Sequence, residues 1–216
     1  MGIFSRLFGG SRQKDKSYVR AWVEKHKSEL CHSNDLSPKN LFVALMYGLS
    51  CFGKNDLVGT IPSDFEELGI DVTGQFSSDG ALFELGCYMF FHIDLWLFKN
   101  EPDRREEISY TFIDEFIELF SQALGSKKIP MLFEERLSGY GELVRTGTDT
   151  ERYHHHLSQL ILLTKNTQLP EAYDFDNSTL MLTIEDVHVK VDLANWETII
   201  LPAMIENLEN YCNLTK

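Results

Sequence analysis

No two cysteines in this chain have C-x-x-C spacing. The four present, Cys31, Cys51, Cys87 and Cys212, sit mostly within apolar helical patterns, which fits reduced core thiols and argues against a disulfide or zinc framework. Positive charge is scarce as well. Twenty lysines and arginines face 33 aspartates and glutamates, a net charge of -13. Phosphate neutralisation needs clustered cations, so a nucleic-acid partner is not expected. The patterns G-x-S-x-G, G-x-G-x-x-G, G-x-x-x-x-G-K-[ST] and H-E-x-x-H do not occur, which removes the Rossmann, nucleotide-hydrolase and zincin readings. The opening MGIFSRLFGGSRQKDK has too little apolar content before its charges for a signal-peptide core. A cytoplasmic, bacterial-type protein is expected, and the sequons at Asn177 and Asn213 carry no meaning without export.

What the chain does have is apolar mass, 43% of its 216 residues, enough for a substantial core. The run from Ala81 to Phe98, ALFELGCYMFFHIDLWLF, is apolar on every side of a helical wheel, so it must be wrapped by other elements. Its acids Glu84 and Asp94 would each cost about 2 to 3 kcal/mol near the centre of a bilayer, which favours a central helix inside a soluble fold.

Around it, helical periodicity recurs. Val19, Trp22, Val23 and Leu30 mark one helix; Ser37-Pro38 caps and opens a second, ending at Gly53. Residues 54–77 read as a long connection, with Ser63 to Glu66 matching a capping box. Ile108, Phe112, Ile113, Phe116, Ile117, Phe120 and Leu124 trace a stripe to Gly125, Pro130 opens another helix, and Thr148 to Glu151 form a second capping box. After Pro170 the pattern changes. Leu180, Leu182 and Ile184, then Val187, Val189, Val191 and Leu193, alternate in a way that predicts a small β-hairpin near 179–193. A closing helix follows, with Trp196, Ile199, Ile200, Ala203, Leu208 and Tyr211 on its apolar face and Pro202 kinking or splitting it. The expected fold is mainly α: a single helical bundle or globule of about seven helices over residues 17–216, around a buried central helix, with that C-terminal hairpin.

Residues 1–16 form a separate, basic arm. Residues 1–27 hold seven basic side chains against Asp15 and Glu24, a net of +5, which leaves -18 on the remainder. Ile3, Phe4, Leu7 and Phe8 share one helical face ahead of Gly9-Gly10, which suggests weak membrane-surface contact, a clasp onto the body, or a partner site. The first six residues resemble the amphipathic start of the phage-shock membrane-stress family, but that family is a long coiled coil and this interrupted helical pattern is not.

The candidate site residues lie in the central run. Glu84, His92 and Asp94 are ionisable groups in an apolar segment, costly there unless paired or bound. With Glu118 they form the candidate metal set, although the Glu-x-x-His spacing of helical-bundle metal centres is missing, since Glu84 has Cys87 three residues on. The competing reading is an ion pair with Arg136, which lies on the core stripe Phe133, Arg136, Leu137, Tyr140 and Val144 and needs a carboxylate, Asp94 or Glu84. His154, His155 and His156 read as a solvated helix face, because adjacent helical positions do not chelate jointly. Asp174, Asp176 and Glu185 fall at calcium-loop positions, yet Thr179 replaces the required glycine. No cofactor is expected. The favoured function is non-enzymatic protein binding by an acidic body. Alternatives are an immunity- or antitoxin-like neutraliser of a basic protein, a peripheral protein at the inner face of the membrane, and a helical-bundle metalloprotein or enzyme.

Overall fold

A computed structural model of the chain describes residues 17–30, 37–50, 78–147, 150–164, 169–170, 173 and 184–215. The arm residues Ile3, Phe4, Leu7 and Phe8, the connection 54–77 and the calcium-like acids Asp174 and Asp176 fall outside them. In chain order the elements are α1 (Tyr18–Leu30), α2 (Pro38–Ser50), α3 (Asp79–Asn100), α4 (Arg105–Leu124), α5 (Ile129–Arg145), α6 (Thr150–Leu163), α7 (Ile184–Asn195), a π-helical turn (Trp196–Ile200) and α8 (Leu201–Leu214). The described residues are mostly helical, and no strand occurs among them.

Helix α3 is the axis. Every residue from Gly80 to Phe90 is buried, and the helix packs against α1, α2, α4, α5, α6 and α8. It is long and apolar enough to cross a membrane, but two thirds of its most apolar window (67%) lies inside the fold. Local chemistry starts it: the Ser78 side chain accepts a hydrogen bond from the Ala81 amide, 3.1 Å. The next residue serves a different helix. The Asp79 carboxylate accepts from Ser17 Oγ (2.5 Å) and from the Tyr18 and Val19 amides (2.9 and 3.1 Å), so it caps the N-terminus of α1 across the fold and fixes where α1 and α3 meet.

The other boundaries follow turn chemistry. Pro38 and Pro130 sit in the first turns of α2 and α5, where a missing N–H costs nothing. Helix α4 ends at Gly125, whose φ of 60° is left-handed. Phe116 of α4 lies 5.1 Å from Phe133 of α5 and 5.8 Å from Phe83 of α3, ring centre to ring centre, at a point where α3 has only Gly86 beneath it.

The expected hairpin at 179–193 is corrected over its described part: residues 184–195 are helical, while 179–183, with Leu180 and Leu182, lie outside the described residues. Val189, Leu193 and Trp196 are buried, at steps of four and three, while Val191 between them is 49% exposed. A strand would have put Val189, Val191 and Leu193 on one side. The alternation of β-branched valines imitates a strand, but the burial period is that of a helix.

The closing helix departs from simple periodicity as well. After Trp196 the next buried positions are Leu201, Met204, Leu208 and Tyr211, so one step is five residues long. The Leu201 amide bonds back to the Trp196 carbonyl, five residues away. Proline at 202 cannot donate to the i-4 carbonyl and its ring crowds it; the wider π turn just before it accommodates that loss. Ile199 and Ala203, expected on the core face, are consequently exposed.

Two glycines on core helices should behave oppositely. A Cβ on Gly86 would come within 2.5 Å of Phe116 Cε2 and 2.8 Å of its Cζ, so Gly86→Ala should lower stability by about 1 to 3 kcal/mol. Gly141, within α5, has nothing within 4 Å of an added Cβ, and Gly141→Ala should raise stability by about 0.5 to 1 kcal/mol in urea unfolding.

Candidate functional site

Glu84, Tyr88 and His92 are spaced by four residues, which sets them along one side of α3, each about 40° round from the last. Arg136 and Tyr140 have the same spacing on α5. The two rows meet as the rungs of a ladder. At one end Arg136 Nε donates to Glu84 Oε2 (2.9 Å) and Nη2 to Oε1 (3.2 Å); in the middle the Tyr88 and Tyr140 rings are 5.3 Å apart. At the other end the His92 ring packs edge-on against Tyr88, 4.5 Å between centres.

Arg136 and Glu84 are both completely buried. The guanidinium also donates from Nη1 to Glu135 (2.7 Å) and from Nη2 to the Pro170 carbonyl (2.8 Å). Glu135 in turn accepts from the Tyr173 amide at 3.2 Å. The network therefore spans α3, α5 and the segment after α6. Burial opposes charge on Arg136, but Glu84 beside it, with Glu135, outweighs this and holds the guanidinium above its ordinary value. Burial raises the Glu84 carboxyl, against the pull of Arg136. Burial and the Glu84 charge also push the Cys87 thiol well up, so it stays protonated and unreactive.

The far end of the ladder involves α6 and the π turn. Tyr88 Oη donates to Glu197 Oε1 at 3.2 Å, and His154 Nε2 pairs with Glu197 Oε2. The hydrogen bond from His154 is the main reason the Glu197 carboxyl lies below its usual range. Burial pulls His92 down, so this imidazole stays neutral beside an ionised carboxylate. His155 and His156 are buried too, at 5% and 1% exposure, which corrects the solvated-face reading of the triplet. His156 Nδ1 lies 3.2 Å from Tyr173 Oη, and burial, with His155 and Arg152, pushes its pKa down to about 4.

The candidate residues divide among separate partners. Asp94 is not the mate of Arg136: its carboxylate takes a two-pronged grip from Arg105, Nε at 2.8 Å and Nη2 at 2.7 Å, plus Ser109 Oγ at 3.1 Å. Glu118 is exposed on α4 and accepts from Gln122 Nε2 at 3.1 Å. Glu84, His92, Asp94 and Glu118 thus do not come together, and among the described residues no three His, Cys, Asp or Glu side chains converge as metal ligands. Sequence reasoning missed Tyr88 and Glu197, and it read His154 as part of a solvated face. The i, i+4, i+8 spacing of Glu84, Tyr88 and His92 was the available signal; nothing in the sequence ties Glu197 to His154.

On another side of α3, next to the Asp94–Arg105 pair, a groove of about 490 Å³ opens between α3, α4 and α5, a size typical of ligand clefts. Its apolar base is Phe90, Ile113 and Leu137, and its edge carries Arg105, Glu106 and the 61% exposed Tyr110. No family model, curated protein or solved structure matches the chain.

Two outcomes follow for the ladder. Arg136→Met alone strands the Glu84 carboxylate in the core and should cost about 3 to 5 kcal/mol, whereas Arg136→Met with Glu84→Leu should cost much less than the sum of the single changes in a double-mutant cycle. Because His156 has a folded pKa near 4 against an ordinary 6.5, the unfolded chain takes up its proton first on acidification. Stability is therefore fully present above pH 6.5 and falls as pH drops toward 4, with buried His92 adding in the same direction. Tm measured across that window should decline, and His156→Gln should flatten the slope.

Proposed function

We propose that this protein works by binding another protein, through the groove between α3, α4 and α5 and the acidic outer side of α4. The observation that carries this is the placement of its ionisable groups. Two interior pairs are engaged with one another, Glu84 with Arg136 and Glu197 with His154, so these four serve the fold. The unspent chemistry lies outside. Helix α4 presents Glu106, Glu107, Asp114 and Glu118 to solvent, beside a groove with an apolar base and an exposed tyrosine at its edge. An apolar cleft flanked by one sign of charge suits a partner with an apolar face set among lysines and arginines, since complementary potentials speed encounter and exclude wrong partners. Tyrosine at such an edge suits an interface.

The more specific form is neutralisation of a basic protein, in which the acidic body covers the cationic surface of its target. Immobilised wild-type chain and the triple variant Glu107→Gln, Asp114→Asn, Glu118→Gln provide the test. Basic proteins retained by the wild type, released at high salt and held about tenfold less by the triple variant are the expected result. Retention of only neutral or acidic proteins, or equal retention by both forms, overturns the reading.

A further inference from the structure

The side of α3 that carries Phe90, Asp94 and Phe98, at steps of four, emerges from the fold along its length: Phe90 is 3% exposed and Phe98 59%. On α4, Arg105, Ser109 and Ile113 keep the same step and line the groove, and Leu137 of α5 lines its other bank. Residues 105 to 113 cover about 12 Å of helix axis at 1.5 Å per residue. Three side chains at i, i+4 and i+8 of another helix occupy that same length.

The groove differs along and across this length. Ile113 and Leu137 are half-buried and pack against the core, so the apolar interior reaches the surface there. At the open end the Arg105 guanidinium, gripped by Asp94, lies 5.4 Å from the centre of the Phe98 ring. Exposed Phe, Tyr and Arg are the residue types that anchor interfaces. Both banks are acidic. Glu106 stands at the α4 edge, with Asp114 and Glu107 further round that helix. On α5, exposed Glu134 comes three residues before Leu137 and so shares its side of the helix. The cations nearby are engaged elsewhere: Arg105 with Asp94, Arg104 with the Cys212 carbonyl at 3.1 Å, and Lys39 with Glu115.

The secondary structure of the occupant follows from the host. A strand joins a partner along a sheet edge, and the described residues contain no strand. A groove between two helices above a third takes the side-chain ridge of another helix. We propose that the groove receives one basic amphipathic α-helix of the partner protein, its apolar stripe seated over Phe90, Ile113 and Leu137 and its lysines or arginines, on both sides of that stripe, facing Glu106 and Glu134. This rests on reading the groove as the recognition surface, and it adds the form in which the basic partner presents itself. Two banks of one charge also reject an acidic helix of the same apolar pattern.

Fluorescence anisotropy with the full chain and two labelled synthetic peptides of about 14 residues tests this. One has leucines four residues apart on a single helical face, lysines on both sides of them and alanines elsewhere; the other has the same composition in scrambled order. The patterned peptide should bind at least about tenfold more tightly than the scrambled one, gain helical circular dichroism on binding, and lose at least about tenfold with Glu106→Lys plus Glu134→Lys. Glu206→Lys plus Glu209→Lys, the same charge change on α8, should leave its affinity within about twofold. All four positions are exposed, and an unchanged Tm verifies the fold of each variant. No binding, equal binding of the two peptides, or equal loss in the two variants overturns the inference, because acidity alone then accounts for the contact. A chain that dimerises and is made monomeric by Tyr110→Asp gives the groove to a second copy, and also overturns it. If the patterned peptide fails while basic proteins are still retained through the acids of α4, the helix falls and the basic partner stands. If the peptide binds as expected but no basic protein is retained, the reading of a protein partner falls and the preference of the groove for a basic helix stands.

Discussion

Everything in the interior is arranged around one buried cation. Arg136 has no exposed surface, and its guanidinium is neutralised by Glu84 on the central helix, steadied by Glu135 on its own helix and closed by the Pro170 carbonyl. An isolated charge in such a place would cost several kcal/mol, so the fold must bring α3, α5 and the chain near Pro170 together for the group to be tolerable at all. Leucines at the same positions would pack with equal ease in several registers. The two-pronged contact accepts one, because a helical shift of a single residue would move Glu84 about 100° away from the guanidinium. Polar burial of this kind is a source of uniqueness more than of net stability.

From that fixed rung the ladder extends toward the π turn, and the character of the contacts changes along it. At one end Arg136 and Glu84 are sealed, with Glu135 beside them reaching solvent. Near Glu197 the groups are partly open, with side-chain exposures of 15% for His154 and 22% for its partner. The neutral His92 at that end lies against Tyr88. The seam thus runs from the fully buried Glu84–Arg136 pair to a partly open end at the junction of α3, α6 and the π turn.

Much of the architecture was legible in the sequence because it rests on periodicity. A segment apolar on all sides has to be central, and Ala81 to Phe90 is buried throughout, while the run opens toward an exposed Phe98. Caps and breakers were equally readable: Ser37-Pro38, Gly125 and Pro130 fall at the helix boundaries their chemistry requires. Readings failed where two periods overlapped or a contact was non-local. Val187, Val189, Val191 and Leu193 alternate as a strand would, and only the burial of Val189, Leu193 and Trp196 shows which period the chain uses. The choice between Glu84 and Asp94 for Arg136 could not be made from a helical wheel, since it depends on which neighbour lies on which side of α3. Arg105, close in sequence, takes Asp94. The contribution of Asp79 to the start of α1 is non-local in the same sense, because the acid and the amides it serves are about sixty positions apart.

The π turn carries a consequence for how this region can vary. Helix α8 directs Met204, Leu208 and Tyr211 inward only because the preceding turn holds one residue more than α-helical winding would. Loss of a single residue there would tighten the winding and rotate everything downstream by about 100°, carrying Leu208 away from the core and a neighbouring glutamate or asparagine toward it. Exchanges of side chain at Ile199 or Thr198 leave the phase of the helix untouched. That segment should therefore accept changes of residue type far more readily than changes in its length.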